Sequence, residues 1–316
     1  MISVLTPAFN EAANLPALYR RLVATMATVG GDWEWVVVDD HSRDDTFGVL
    51  AALAADDPRV RGIRLARNSG SHVAITCGLH HVAGDAAVMM AADLQDPPET
   101  MTAMLGRWRE GAQVVWAVRR VRPGESSHAG FAAAYYWVMR HVVGMKEMPS
   151  RGADYFLVDR AVIDAFRRFP ERHGSVLAHL TWLGFRQAYV EYDKQPRAAG
   201  RSGWTLARKL GLVLDSVTSF TAAPLRLASM AGAGLMVLAA PVGVAGLLLL
   251  PAISGILLLV LAAVAVVGGL QLLALGLLGE YVWRGVEEAR RRPQFVVEAV
   301  VGAGGRQGGA PPAGGP

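Results

Sequence analysis

Between Leu227 and Gly279 lie about 53 consecutive residues without one charged side chain, longer than any core helix of a soluble domain requires. A membrane span takes about 20 apolar residues, so this run is long enough for two, and Pro251-Ala252-Ile253-Ser254-Gly255 supplies a break between them. The expectation is a helical hairpin within 225–283, with spans at about 226–250 and 254–279. Arg201, Arg208, Lys209 and Arg226 flank its start, Arg284, Arg290, Arg291 and Arg292 flank its end, and the turn is uncharged. Lysine and arginine stay on the cytoplasmic side, which places both ends of the hairpin there. Just upstream, Leu206, Leu210, Val213, Leu214 and Val217 form one apolar stripe opposite Arg208, Lys209, Asp215 and Ser216. That pattern predicts an amphipathic helix over 201–224, lying in the membrane interface.

The rest of the chain has the mixed polarity of a globular domain. Apolar residues make up 52% of the whole, but the excess is concentrated in the hairpin. Cys77 is the only cysteine and has no intrachain partner, which fits a reducing compartment and a buried apolar thiol. Ile2 to Leu5 reads directly as a strand, with no basic leader or cleavage site, so no signal peptide is expected. A net charge of +4 suits anionic headgroups and phosphorylated ligands as well as nucleic acid, and by itself does not choose among them.

Over residues 1–200, short β-branched runs alternate with helical periodicity. Ile2–Thr6, Glu34–Val38, Val60–Arg64, Ala87–Ala91 and Gln113–Val118 read as strands. Asn14 reads as a helix N-cap followed by Pro16 and by Leu18, Leu22 and Met26 at helical spacing, and Pro97-Pro98-Glu99 opens another helix. Such alternation predicts an α/β domain with a mostly parallel sheet covered on both faces. Ligands of these sheets gather beyond the carboxyl ends of the strands, where Asp39-Asp40 and Asp93-Leu94-Gln95-Asp96 fall. Residues 284–316 form a tail whose end, from Gly302, is Gly/Pro/Ala-rich and expected to be disordered.

Three segments in this order resemble glycosyltransferase family 2: Thr6-Pro7-Ala8-Phe9-Asn10-Glu11, Val36-Val37-Val38-Asp39-Asp40, and Ala92-Asp93-Leu94-Gln95-Asp96-Pro97-Pro98-Glu99. More narrowly the chain resembles the polyisoprenyl-phosphate glycosyltransferases related to dolichol-phosphate mannose synthase and the bactoprenol glucosyltransferases. The resemblance runs to about Val297 and implies a GT-A, Rossmann-like catalytic domain over 1–200. It implies that Pro7, Phe9, Glu11, Val37 and Asp39 line a nucleotide-sugar site, where carboxylates accept hydrogen bonds from base and ribose. It places metal contacts at Asp93 and Gln95, for magnesium or manganese, because a hard cation offsets charge on a departing diphosphate. Relatives carry a first carboxylate where Ala91 stands, so Ala91 and Ala92 are expected to face the donor.

The resemblance also places phosphate ligands at Arg119 and Arg197, whose forked guanidinium matches two phosphate oxygens. Arg120, Asp154, Arg201 and Ser202 are expected on the acceptor side; many relatives have Lys where Gly203 stands, and an Arg where Phe156 stands. Asp93, Arg119 and Arg197 are thus the expected catalytic residues. The implied reaction moves a sugar from a UDP- or GDP-linked donor to a polyisoprenyl phosphate, with inversion. It would take place at the cytoplasmic face of the plasma membrane, for cell-envelope glycan or glycolipid modification. Nucleic acid is not an expected partner, and a homo-oligomer is compatible. A processive polysaccharide synthase would carry more spans and a Gln-x-x-Arg-Trp motif. A membrane scaffold that only binds nucleotide-sugar is the remaining alternative, distinguished by an assay of transfer.

Overall fold

The computed structural model describes residues 1–120, 137, 139–141, 148–149, 154–168, 175–195, 225, 230, 234, 253–290 and 292–302. Arg197, Arg201, Ser202 and Gly203, the interfacial helix expected over 201–224 and the break at 251–252 lie outside them. The first span, at about 226–250, does too, except for single helical residues at 230 and 234.

Among the described residues, eight strands form one sheet: β1 (Ile2–Ala8), β2 (Trp33–Asp39), β3 (Val60–Leu65), β4 (Ala86–Met89), β5 (Val114–Arg119), β6 (Tyr155–Asp159), β7 (Gln187–Tyr192) and β8 (Val297–Gly302). Their order across the sheet is β7-β5-β6-β4-β1-β2-β3-β8. The run β4-β1-β2-β3 is parallel throughout, and β5 and β7 are parallel to each other. The sheet is mixed overall, since β6 runs antiparallel between β4 and β5, and β8 caps the β3 edge antiparallel. All five strands read from the sequence are present. The fourth ends at Met89 and leaves Ala91 in the loop.

β2 shows how the pattern builds the layers. Val36 and Val38 point into one core with Leu5, Ile63 and Leu79, while Trp35 and Val37 point into the other with Leu18, Leu22 and Met101. Buried on both faces, the strand reads as a continuous apolar run. Helices α1 (Leu15–Val29), α2 (Thr46–Asp56) and α4 (Thr100–Arg109) contribute to the second core. Helices α3 (Ser71–His81), α5 (Arg160–Phe166) and α6 (Val176–Trp182) contribute to the first. Asn14 does not cap α1 with its side chain; Nδ2 is turned back to donate to Glu11 Oε2 at 2.6 Å. Cys77 is buried, and burial pushes its thiol up to about 12, so it packs as an apolar side chain.

Helix α7 (Ile253–Ala289) is 37 residues long, or about 55 Å. Within it Val266–Trp283 has mean hydropathy 1.5 and is wholly unburied, so one described helix is long and apolar enough to cross a membrane. It contains the second expected span. Seven residues separate α7 from β8, by which the chain re-enters the sheet within the segment expected to be tail.

Candidate functional site

Loops leaving β1, β2 and β4 meet at one edge of the sheet. Each holds a non-glycine residue in the left-handed region: Asn10 at φ 58°, His41 at 58° and Leu94 at 61°. Such backbone costs about 1–3 kcal/mol per residue and persists only where neighbours enforce it. Here the neighbours are visible. Ser42 Oγ accepts from Asn10 N at 2.9 Å, Asn10 Oδ1 from Arg43 N at 2.8 Å, and Thr46 Oγ1 from Glu11 N at 2.9 Å. The β1 loop is thereby laced to the β2 loop.

This lacing presents Phe9, 42% exposed, beside partly buried Pro7 and Glu11. Asp39 is wholly buried, with Oδ1 accepting from Ser42 N at 2.9 Å and Oδ2 from Arg64 Nη1 at 3.0 Å. Its carboxylate therefore shapes the loop and is paired before any ligand arrives. Val37 lies inside the core and pairs through its backbone with β1 and β3, so it has no surface for a ligand and is no part of the cleft. Asp40 is a structural carboxylate. It accepts from Ser69 N at 2.7 Å and Gly70 N at 2.8 Å, anchoring the entry to α3, and its burial raises its pKa.

The acidic side of the cleft is built around β4. Asp93 Oδ1 accepts from Gln95 N at 3.1 Å, a local turn bond that leaves α4, starting at Thr100, uncapped by it. Gln95 is stitched to the exit of β7, with its carbonyl accepting from Gln195 N at 2.8 Å and Nε2 donating to Gln195 O at 3.4 Å. Asp96 sits behind, 1% exposed, with Oδ1 accepting from the Tyr192 hydroxyl at 2.6 Å and lying 3.8 Å from Lys194 Nζ. Its Oδ2 has no hydrogen-bond partner among the described residues. Burial raises the Asp96 pKa, Lys194 and Tyr192 oppose the rise, and Asp154 and Asp93 add to it by repulsion. Asp154, exposed just before β6, is within electrostatic reach of both Asp93 and Lys194.

Asp93 and Asp154 thus repel Asp96, Lys194 offsets Asp96 and Asp154, and one buried oxygen, Asp96 Oδ2, is unpaired among the described residues. A magnesium- or manganese-type cation fits that donor set: Asp93 carries the charge, and the Gln95 amide offers its carbonyl end, because its NH2 is engaged. Among the described residues no three His, Cys, Asp or Glu side chains form a ready cage, so such an ion would take further ligands from phosphate oxygens and water. Ala91 and Ala92 lie between β4 and this turn, Ala91 partly open and Ala92 buried in the second core.

Arg119 ends β5, exposed, directly opposite Tyr192 in the β5–β7 register, which puts it on the acidic side of the cleft. Arg120 points to the surface instead, with Nη1 3.2 Å from Asp193 and Nε 3.5 Å from Glu191. Two carboxylates already balance it, so it is not positioned as a spare phosphate ligand. Sequence reasoning missed Tyr192, Lys194 and Arg64. Asp193-Lys194 directly after an alternating run was the available sign of a charged strand end.

Comparison with known proteins identifies relatives of this chain. The model for "Glycosyl transferase family 2" matches residues 3–167. The uncharacterized glycosyltransferase YkcC of Bacillus subtilis is 34% identical over 307 residues, covering 95% of this chain and 94% of that protein. The bactoprenol glucosyl transferase of Shigella phage SfV is 30% identical, covering 94% of this chain and 98% of its own. The undecaprenyl-phosphate 4-deoxy-4-formamido-L-arabinose transferase of Shewanella sediminis is 31% identical, covering 95% and 92%.

Proposed function

This chain belongs to glycosyl transferase family 2 and is a glycosyltransferase, and from that premise we propose that it moves a sugar from a nucleotide-sugar to a polyisoprenyl phosphate at a membrane. The observation that carries the reading is the extent of the likeness. Relatives named for bactoprenol and undecaprenyl phosphate align over 94–95% of this chain, a span too long to omit the apolar C-terminal part. An enzyme for a soluble acceptor has no use for a 37-residue helix with an unburied apolar face.

Strand β8 supports the hairpin. It pairs with β3 in the same sheet as residues 2–119, so the two ends of the intervening chain lie on one side of any membrane. If α7 crosses once, an odd number of further crossings must precede it. The uncharged run leaves room for one, at about 226–250. The flanking arginines favour the cytoplasm for the shared side.

In the proposed reaction, Phe9, Glu11 and the loop shaped by Asp39 hold the UDP- or GDP-linked donor, and Ala91 and Ala92 give it room. Asp93 and Gln95 hold magnesium or manganese, which when bound offsets charge on the departing diphosphate. Arg119, and from the sequence Arg197, bracket phosphate oxygens with paired N–H groups, while Arg201 and Ser202 remain candidates on the acceptor side. A phosphate monoester with a second pKa near 6 is mostly dianionic at pH 7, so the acceptor attacks the anomeric carbon without a protein base. Orientation and neutralisation are what the chain must supply. Asp154 and Lys194, beside Asp93, set the local charge where the acceptor phosphate approaches. Purified protein incubated with undecaprenyl phosphate and a panel of labelled UDP- and GDP-sugars tests this. Label in the lipid phase supports it, and nucleotide binding without transfer for any donor would leave a scaffold.

A further inference from the structure

Arg64 is a hub joining three parts of the chain that sequence keeps far apart. Nη1 donates to buried Asp39 at 3.0 Å, Nη2 to the Ser42 carbonyl at 3.2 Å, and Nε to Glu298 Oε2 on β8 at 3.1 Å. Its side chain is 21% exposed, that of Asp39 0%, and that of Glu298 47%. His41, in the left-handed turn after β2, places Nδ1 3.2 Å from the same Glu298 carboxylate. From Ser42 the bonds continue through its Oγ to Asn10, and so to the loop that presents Phe9 and Glu11. A buried carboxylate needs a counter-charge held in place, and the guanidinium fork serves only if its outer edge is also fixed. Glu298 fixes that edge.

We propose that Glu298, on the strand that follows the membrane helix, is a positioning residue for the nucleotide end of the donor site, acting through Arg64 on Asp39 and the β2 loop. The inference rests on the nucleotide-sugar reading above. It gives the returning strand a purpose beyond closing the sheet edge: the segment after the membrane helix completes the pocket for the nucleoside diphosphate. A half-exposed ion pair contributes little to global stability, so its loss should register in ligand affinity before it registers in folding.

The test is titration calorimetry of the full-length protein in detergent with UDP and with GDP, alongside thermal unfolding. For whichever nucleotide binds, Glu298→Gln is expected to weaken binding about two- to fivefold, the range such a pair allows. The thermal midpoint should not move, and Glu298→Asp should recover most of the affinity. Arg64→Gln should weaken binding at least as much, and adding Glu298→Gln to it should cost nothing further, since the two act in one chain. Unchanged affinity in Glu298→Gln would overturn the proposal. So would an equal loss in Val300→Ala, which loosens β8 against the core without touching the carboxylate. Wild-type protein that binds neither nucleotide would overturn instead the donor reading on which the proposal stands.

Discussion

The Tyr192 hydroxyl donates to Asp96 Oδ1 at 2.6 Å across 96 residues of sequence, holding a buried carboxylate behind the turn that carries Asp93 and Gln95. The bond fixes one oxygen, and the other has no partner among the described residues. Burial raises the pKa of this acid above its unfolded value of 3.8. For a raised pKa, the stabilising contribution is fully present below the unfolded value and is lost as pH rises through the folded one. At neutral pH this carboxyl is therefore a cost to folding.

Asp96→Asn keeps an acceptor for Tyr192 and removes the buried charge. The thermal midpoint at pH 7 should rise by about 2–4 °C, equivalent to about 1 kcal/mol for a domain of this size, with no gain at pH 3.5. A fall at pH 7 would mean that the Lys194 pair outweighs the burial cost.

Asp57 has the opposite sign. Arg59 donates to it from Nε and Nη2 at 2.8–3.1 Å, Tyr19 from its hydroxyl at 2.6 Å, and the carboxyl is held down to about 2. Its stabilisation is present above pH 3.8 and lost as pH falls through about 2. Asp57→Asn should cost about 1–2 kcal/mol at pH 7, a figure discounted for the exposure of Arg59, and only a small fraction of that near pH 2. Denaturant melts at both pH values check this.

Gly78 lets α3 lie against β1, because a Cβ there would run into the Leu5 side chain. Gly78→Ala should destabilise by about 1–3 kcal/mol, and adding Leu5→Val should recover part of the loss. An unchanged midpoint in the single variant would show that Leu5 simply moves aside.

Topology can be read with reporters. A fusion after Arg292 should report cytoplasmic, because β8 returns to the catalytic sheet, and an insertion at Ser254 should report the opposite side. The reverse pattern would remove the hairpin.

What the sequence reveals of this molecule is what lies close together in it. Val36 to Asp39, buried on both sides, announces a central parallel strand, and Asp93 with Gln95 stands at a strand end as expected. The misreadings arise where a side chain had two local options. Asn14 chose Glu11 over the helix it precedes, and Val37, two residues before Asp39 and on the same face of β2, is enclosed by the second core. The features not read at all are non-local: Tyr192 reaching Asp96, and Glu298 reaching Arg64 across 234 residues. β8 is short, follows the long apolar helix α7, and looks like tail until its partner β3 is known.

The most direct measurement is the structure of the product made from labelled nucleotide-sugar and undecaprenyl phosphate, determined by mass spectrometry and by NMR of the anomeric proton. The account predicts a single sugar joined through one phosphate, with its anomeric configuration inverted relative to the donor. It further predicts that EDTA abolishes formation, that magnesium or manganese restores it, and that Asp93→Asn makes none while remaining folded. A retained anomeric centre, a diphosphate linkage, or full activity of Asp93→Asn in EDTA would contradict it.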